Sequence, residues 1–126
     1  MIHSDTLRLF LLAVVALVFA AIAIRAFFTP EKVAAELGYK ITGVNGYSEL
    51  FAVYVGVWLA TAALAVLAAV RIDEPILGDL VALFVLAQPF GRIVSMLRYG
   101  RPQGALFFMF FVEVLGGVLL LLVRPT

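Results

Sequence analysis

The sequence predicts an all-α fold, an integral membrane four-helix bundle with antiparallel neighbours and a short interfacial helix between spans one and two. Three observations carry that expectation. With 65% hydrophobic residues and 13% charged in 126, the chain has too little polar surface to wrap a soluble core. A mean hydropathy of +1.16 places it in a bilayer. Its apolar residues gather in four runs, about 7–28, 50–70, 80–97 and 105–123, each of ~18–22 residues. At 1.5 Å of rise per residue such runs match a hydrocarbon core of ~30 Å. The links between them are short, so consecutive helices run in opposite directions. One domain over residues 1–126 is expected, because no alternating pattern supports a membrane barrel and no stretch is left for a soluble unit.

The first run follows Arg8 and contains Ala21-Ile22-Ala23, a small-x-small stretch that also resembles a signal cleavage site. With the chain starting at Met1 we expect this run to be retained as span one. Thr29-Pro30-Glu31 then reads as an N-cap, a proline in the first turn and a first-turn acid, with Gly38 placed to stop the helix. In this short helix Val33 and Leu37 are expected to rest on the bundle end while Glu31, Lys32 and Glu36 face water. Asn45-Gly46 is expected to turn the chain and Ser48 to cap span two. Arg71 to Asp79, with Pro75 and Gly78, and Gly100 to Gly104, with Pro102, are the remaining links. The loops after spans one and three carry five basic residues against three on the other side, which weakly favours placing them in the cytoplasm.

Several chemistries are excluded by composition. Without cysteine there are no disulfides, no thiol catalysis and no cysteine-ligated clusters. His3, the single histidine, lies near Asp5 alone and reads as solvated rather than as a ligand, so no metal or cofactor is assigned. A net charge of +1 without a basic run sets nucleic acid aside.

Charges inside lipid-like stretches are the main functional signal. An ionised side chain near the bilayer centre costs ~2.5–3.5 kcal/mol on insertion scales, so Arg92 and Glu113 each need a partner. Depth arithmetic puts Arg92 ~8 Å and Glu113 ~12 Å below one membrane surface, so they share half of the bundle and are expected to pair. Gln88, Arg92, Ser95 and Tyr99 fall on one helical stripe of span three. From span two, Glu49 is expected at the rim and Tyr54 deeper, with Arg25 arriving from span one. Trp58, well inside its span, needs a partner for its indole N–H that a cavity would supply. Pro89 and Gly91 are expected to kink or locally unwind span three, freeing carbonyls to line a site. The candidate polar network is therefore Glu49, Tyr54, Gln88, Arg92, Ser95 and Glu113, with Trp58, Pro89 and Tyr99 as candidate cavity lining. Ala52, Gly56 and Ala60, with Gly116-Gly117 on span four, read first as helix-packing positions and second as a dimer face.

Ser48-Glu49-Leu50, Tyr54-Val55-Gly56, Gly91-Arg92-Ile93-Val94-Ser95, Gly100-x-Pro102 and Glu113 together resemble a bacterial domain-of-unknown-function family, domain of unknown function 4345. That family is similar to the DoxX-like small four-helix membrane proteins, whose members include a quinone-linked thiosulfate-oxidising subunit and assembly factors. The resemblance spans nearly the whole chain and implies a four-helix bundle with the Glu and Arg positions at its polar centre. Where the family commonly has a Gly-Gly pair after the tyrosine, this chain has Val55-Gly56, which loosens close backbone contact there.

Three functional readings compete. In the first, a non-catalytic structural or accessory membrane protein uses the Glu/Arg network to fix helix register. In the second, the network heads a cavity for a lipid-like ligand of quinone or isoprenoid type. In the third, Glu113 couples protons or a cation to transport, which Arg92 opposes by holding the carboxylate charged. An enzyme is the least supported class, since no histidine or cysteine is available in the membrane region. Expected partners are membrane lipids, a lipid-like ligand and a larger membrane complex or a homo-oligomer, in the bacterial cytoplasmic membrane.

Overall fold

A computed structural model describes residues Met1–Thr126. Four long helices account for the bundle: span one is Asp5–Phe28, span two Gly43–Val70, span three Pro75–Tyr99 and span four Ala105–Leu122. Each is long and apolar enough to cross a membrane. Only 22 of 126 residues are buried, and Leu17, Leu83, Phe90, Leu97 and Phe108 point outward, an arrangement that water would penalise and lipid accepts. The chain is a small integral membrane protein.

Span one packs most extensively on span two, and span three on span four, with the second and third spans closing the bundle between them. The core holds Leu12 and Phe19 of span one, Ala62, Ala65 and Ala68 of span two, Val81 and Val85 of span three, and Leu120 of span four. Alanine on the second span lets its backbone approach its neighbours, the packing mode that apolar solvent leaves available. Gly117 serves the same end on span four, since a β-carbon there would overlap Leu86.

Several expected boundaries move. Span two begins at Gly43 rather than Leu50, so Asn45, Gly46 and Ser48 are helical and neither turn the chain nor cap it. Gly43 takes the positive φ of 71° that the preceding turn requires, Ile41 lies over Gly46, and the Tyr47 hydroxyl donates to Glu31 at 2.8 Å. Tertiary contacts thus override the local turn preference of Asn-Gly. At 28 residues, or ~42 Å, this helix is longer than the hydrocarbon core it has to cross. Pro75 opens span three from the first turn, which shortens the second link and draws Gly78 into the helix. Span three then runs helical through Pro89 to Tyr99 without the expected unwinding, since the proline removes a single rung of a 25-residue ladder.

The linking helix, Pro30–Glu36, forms where expected, with Val33 buried, Glu31, Lys32 and Glu36 exposed, and Gly38 ending it at a φ of 87°. Thr29 differs from expectation. Its hydroxyl donates back to the carbonyl of Arg25 at 2.9 Å, closing span one instead of capping the next helix.

At the far end the chain clasps its own termini. Ile2–His3 pairs in parallel with Val123–Arg124, and Asp5 accepts from both the backbone N–H and the hydroxyl of Thr126. Beneath them Arg8 is 1% exposed and donates to the carbonyls of Leu120 at 2.9 Å, Val123 at 2.6 Å and Pro75 at 2.9 Å. Asp79 lies 3.5 Å from Arg8 and also accepts from Arg124. The guanidinium occupies the volume where a β-carbon of residue 78 would stand, which is why glycine is there.

Candidate functional site

The opposite half of the bundle holds a half-open cleft of about 670 Å³. Ile22 and Arg25 of span one and Val33, Glu36 and Leu37 of the linking helix form one side. Leu106 and Met109 of span four form the other, with Tyr54, Trp58, Gln88, Arg92 and Ser95 between them. Apolar side chains and the polar groups of Arg25, Glu36, Gln88, Arg92, Ser95 and Gln103 share its lining, so one end of a bound molecule can be met by polar groups and the rest by hydrocarbon.

Helix geometry explains which side chains arrive. Phe51–Val57 of span two is π-helical, so the Trp58 N–H bonds to the carbonyl of Val53, five residues back. Such insertions rotate the helix and recur at functional sites. Here the turn brings Tyr54 and Trp58 to the cleft, their ring centroids 5.9 Å apart, with the Phe19 ring tilted against the indole at 4.9 Å. On span three, Gln88, Arg92 and Ser95 follow at the helical spacing read from the sequence.

Arg92 and Glu113 meet. The Arg92 Nε donates to Glu113 Oε1 at 2.9 Å, with the Glu113 side chain 9% exposed and that of Arg92 25%. Both terminal guanidinium nitrogens of Arg92 make no other protein hydrogen bond. Three buried polar atoms around this pair also have no protein partner: Trp58 Nε1, Gln88 Nε2 and Glu113 Oε2. Buried polar groups in folded proteins are nearly always satisfied, so these three atoms are the places where water or a ligand would complete the site.

The other expected residues divide. Tyr54, Trp58, Gln88, Arg92 and Ser95 line the cleft, and Glu113 backs it through Arg92. Glu49 stands apart, exposed on the early turns of span two with no ion-pair partner, because its face of that helix turns away from the cleft while neighbouring Leu50 is buried. Pro89 is buried in packing and Tyr99 is 79% exposed beneath Arg98, so neither lines the cleft. Arg25 reaches the rim but not Glu113, because Glu36 of the linking helix engages it through both carboxylate oxygens. The π-helical turn and the Arg25–Glu36 pair were not foreseen. Only the i+11 spacing of Arg25 and Glu36 across a proline turn hinted at the pair. No three His, Cys, Asp or Glu side chains gather into a group that could hold a metal ion.

The linking helix is held over this end by exposed charges. The hydrogen bond from Arg25 holds the Glu36 carboxyl below its ordinary range, and the one from Tyr47 does the same for Glu31. Each carboxyl binds fewer protons folded than unfolded, so its contribution is present above the ordinary carboxylate pKa and lost as pH falls through the depressed one. Amide exchange across Val33–Leu37, corrected for intrinsic rates, is expected to accelerate on acidification below pH ~4, and Glu36→Gln to flatten that response.

A family described as a domain of unknown function, DUF4345, matches residues 7–124. The chain belongs to that family. The matched region takes in the cleft, Arg8 and its partners and all four spans except the first two residues of span one, while Ile2–His3, Asp5 and Thr126 lie outside it. No curated protein and no solved structure matches the chain.

Proposed function

We propose that this DUF4345 protein binds a lipid-like molecule of quinone or isoprenoid type in the cleft, acting as a non-catalytic component of the bacterial cytoplasmic membrane in the manner of a DoxX-like protein. The observation that carries this reading is the set of unsatisfied atoms, Trp58 Nε1, Gln88 Nε2 and Glu113 Oε2, beside an Arg92 with two unused nitrogens. An ion pair kept for helix register alone needs no such surplus, and in a bilayer each unmet polar group is costly. The apolar wall of Ile22, Val33, Leu37, Leu106 and Met109 suits a hydrocarbon tail.

Native mass spectrometry of the protein released gently from its own membranes tests this. A stoichiometric amphiphile is expected on the wild type and absent from the Arg92→Gln/Glu113→Gln double variant, which removes both charges together. A bare monomer, or a protein subunit as the sole companion, overturns the ligand reading and returns the network to a structural or accessory role.

A further inference from the structure

The cleft carries more information than its existence, because its charges are already spent. Arg25 is engaged by Glu36 through both carboxylate oxygens, and Arg92 by Glu113 at 2.9 Å. Two cations are thus matched by two anions. The other basic residues of this end, Lys32, Lys40, Arg98 and Arg101, stay off the lining, with Arg98 against the Tyr99 ring and Arg101 against that of Phe107. A bound phosphate characteristically recruits uncommitted cations in a multidentate array. None is offered here. An anion placed on the free nitrogens of Arg92 would also share that guanidinium with the Glu113 carboxylate, a like charge that opposes it.

The unmet atoms describe the complementary ligand. Trp58 Nε1 and Gln88 Nε2 are donors that need acceptors, and Glu113 Oε2 is an acceptor that needs a donor. A hydroxyl group supplies both functions without charge, and a carbonyl supplies the acceptor. We propose that the cleft selects an amphiphile with an uncharged hydroxyl- or carbonyl-bearing head and discriminates against the phosphorylated form of the same chain. This rests on the ligand reading above and narrows it, admitting a free isoprenoid alcohol, a quinone or a quinol and rejecting an isoprenoid phosphate.

Trp58 is the only tryptophan, so its fluorescence reads the cleft directly. The full-length protein in phosphatidylcholine nanodiscs is titrated with a long-chain alcohol brominated near its head, and separately with the phosphate monoester of that alcohol. Bromine quenches an indole it touches. Concentrations are expressed as mole fraction in the disc, so that differing partition is removed. Saturable quenching by the alcohol is expected at a mole fraction at least tenfold below that needed for the phosphate. Gln88→Leu, which touches neither ion pair, is expected to weaken the alcohol several-fold, and Glu113→Gln to narrow the gap between the two compounds. Saturable quenching by the phosphate at an equal or lower mole fraction overturns the head-group assignment and leaves the cleft a ligand site. Absence of saturable quenching by either compound overturns the ligand reading and this inference with it.

Discussion

Arg92→Leu is expected to destabilise the protein by ~3–5 kcal/mol, measured as the shift in denaturant midpoint in detergent micelles. The substitution removes the only hydrogen-bond donor to Glu113, whose side chain is 9% exposed, and leaves a carboxylate in an apolar half-bundle. Most of that cost belongs to the stranded partner rather than to the bond itself, since breaking a buried pair from one side is far worse than replacing both members. Arg92→Gln combined with Glu113→Gln is therefore expected to recover most of the loss. Near-native stability of the single variant would refute the burial argument, and a double variant as unstable as the single one would show that shape, not charge, is what the pair supplies.

Arg8→Leu is the second large effect. Arg8 donates to three carbonyls on two other spans and is the most completely enclosed charged residue in the chain. Leucine leaves the carbonyls of Leu120, Val123 and Pro75 without that donor, the first two at the C-terminal end of span four where the intrahelical ladder no longer supplies N–H partners. Hydrogen bonds to a charged group contribute ~1.5–3 kcal/mol each, and a loss of ~3–5 kcal/mol is expected after partial repair by water. Asp79 keeps Arg124, so the damage should localise to the clasp. Faster amide exchange at Leu120–Arg124 with unchanged protection around Arg92 would confirm that separation. Uniform loss across all four spans would contradict it.

The architecture was legible because lipid imposes a simple code. Hydrophobic length sets each span and short links set their order, so four helices follow from composition and spacing alone. The meeting of Arg92 with Glu113 was legible for the same reason, as a charge in hydrocarbon has few permitted partners and depth could be counted from the helix ends. Glu49 misled because spacing fixed its level at the rim but not the helix face it takes, and Asn45-Gly46 gave no sign that Ile41 and Tyr47 would hold that turn helical. Arg8 misled in the opposite direction. A basic residue at a helix entrance ordinarily snorkels to the surface, and nothing near it in the sequence announces the carbonyls that take it inside. The π-helical turn at Phe51–Val57 has no signature among its apolar residues, though it decides that Tyr54 and Trp58 face the cleft.

The Arg8 clasp has a consequence for the order of assembly. Its hydrogen-bond acceptors lie 67, 112 and 115 residues downstream, so the charge on the first span enters the bilayer long before any of them exists. Until then the guanidinium must reach back to the headgroups, holding that helix high in the membrane. Only when Leu120 and Val123 arrive can it be drawn down, which couples the final depth of the earliest helix to the insertion of the last. The clasp is thus expected to close as a latch at the end of biogenesis, and a nascent chain halted after the third span to remain open to proteases at its beginning.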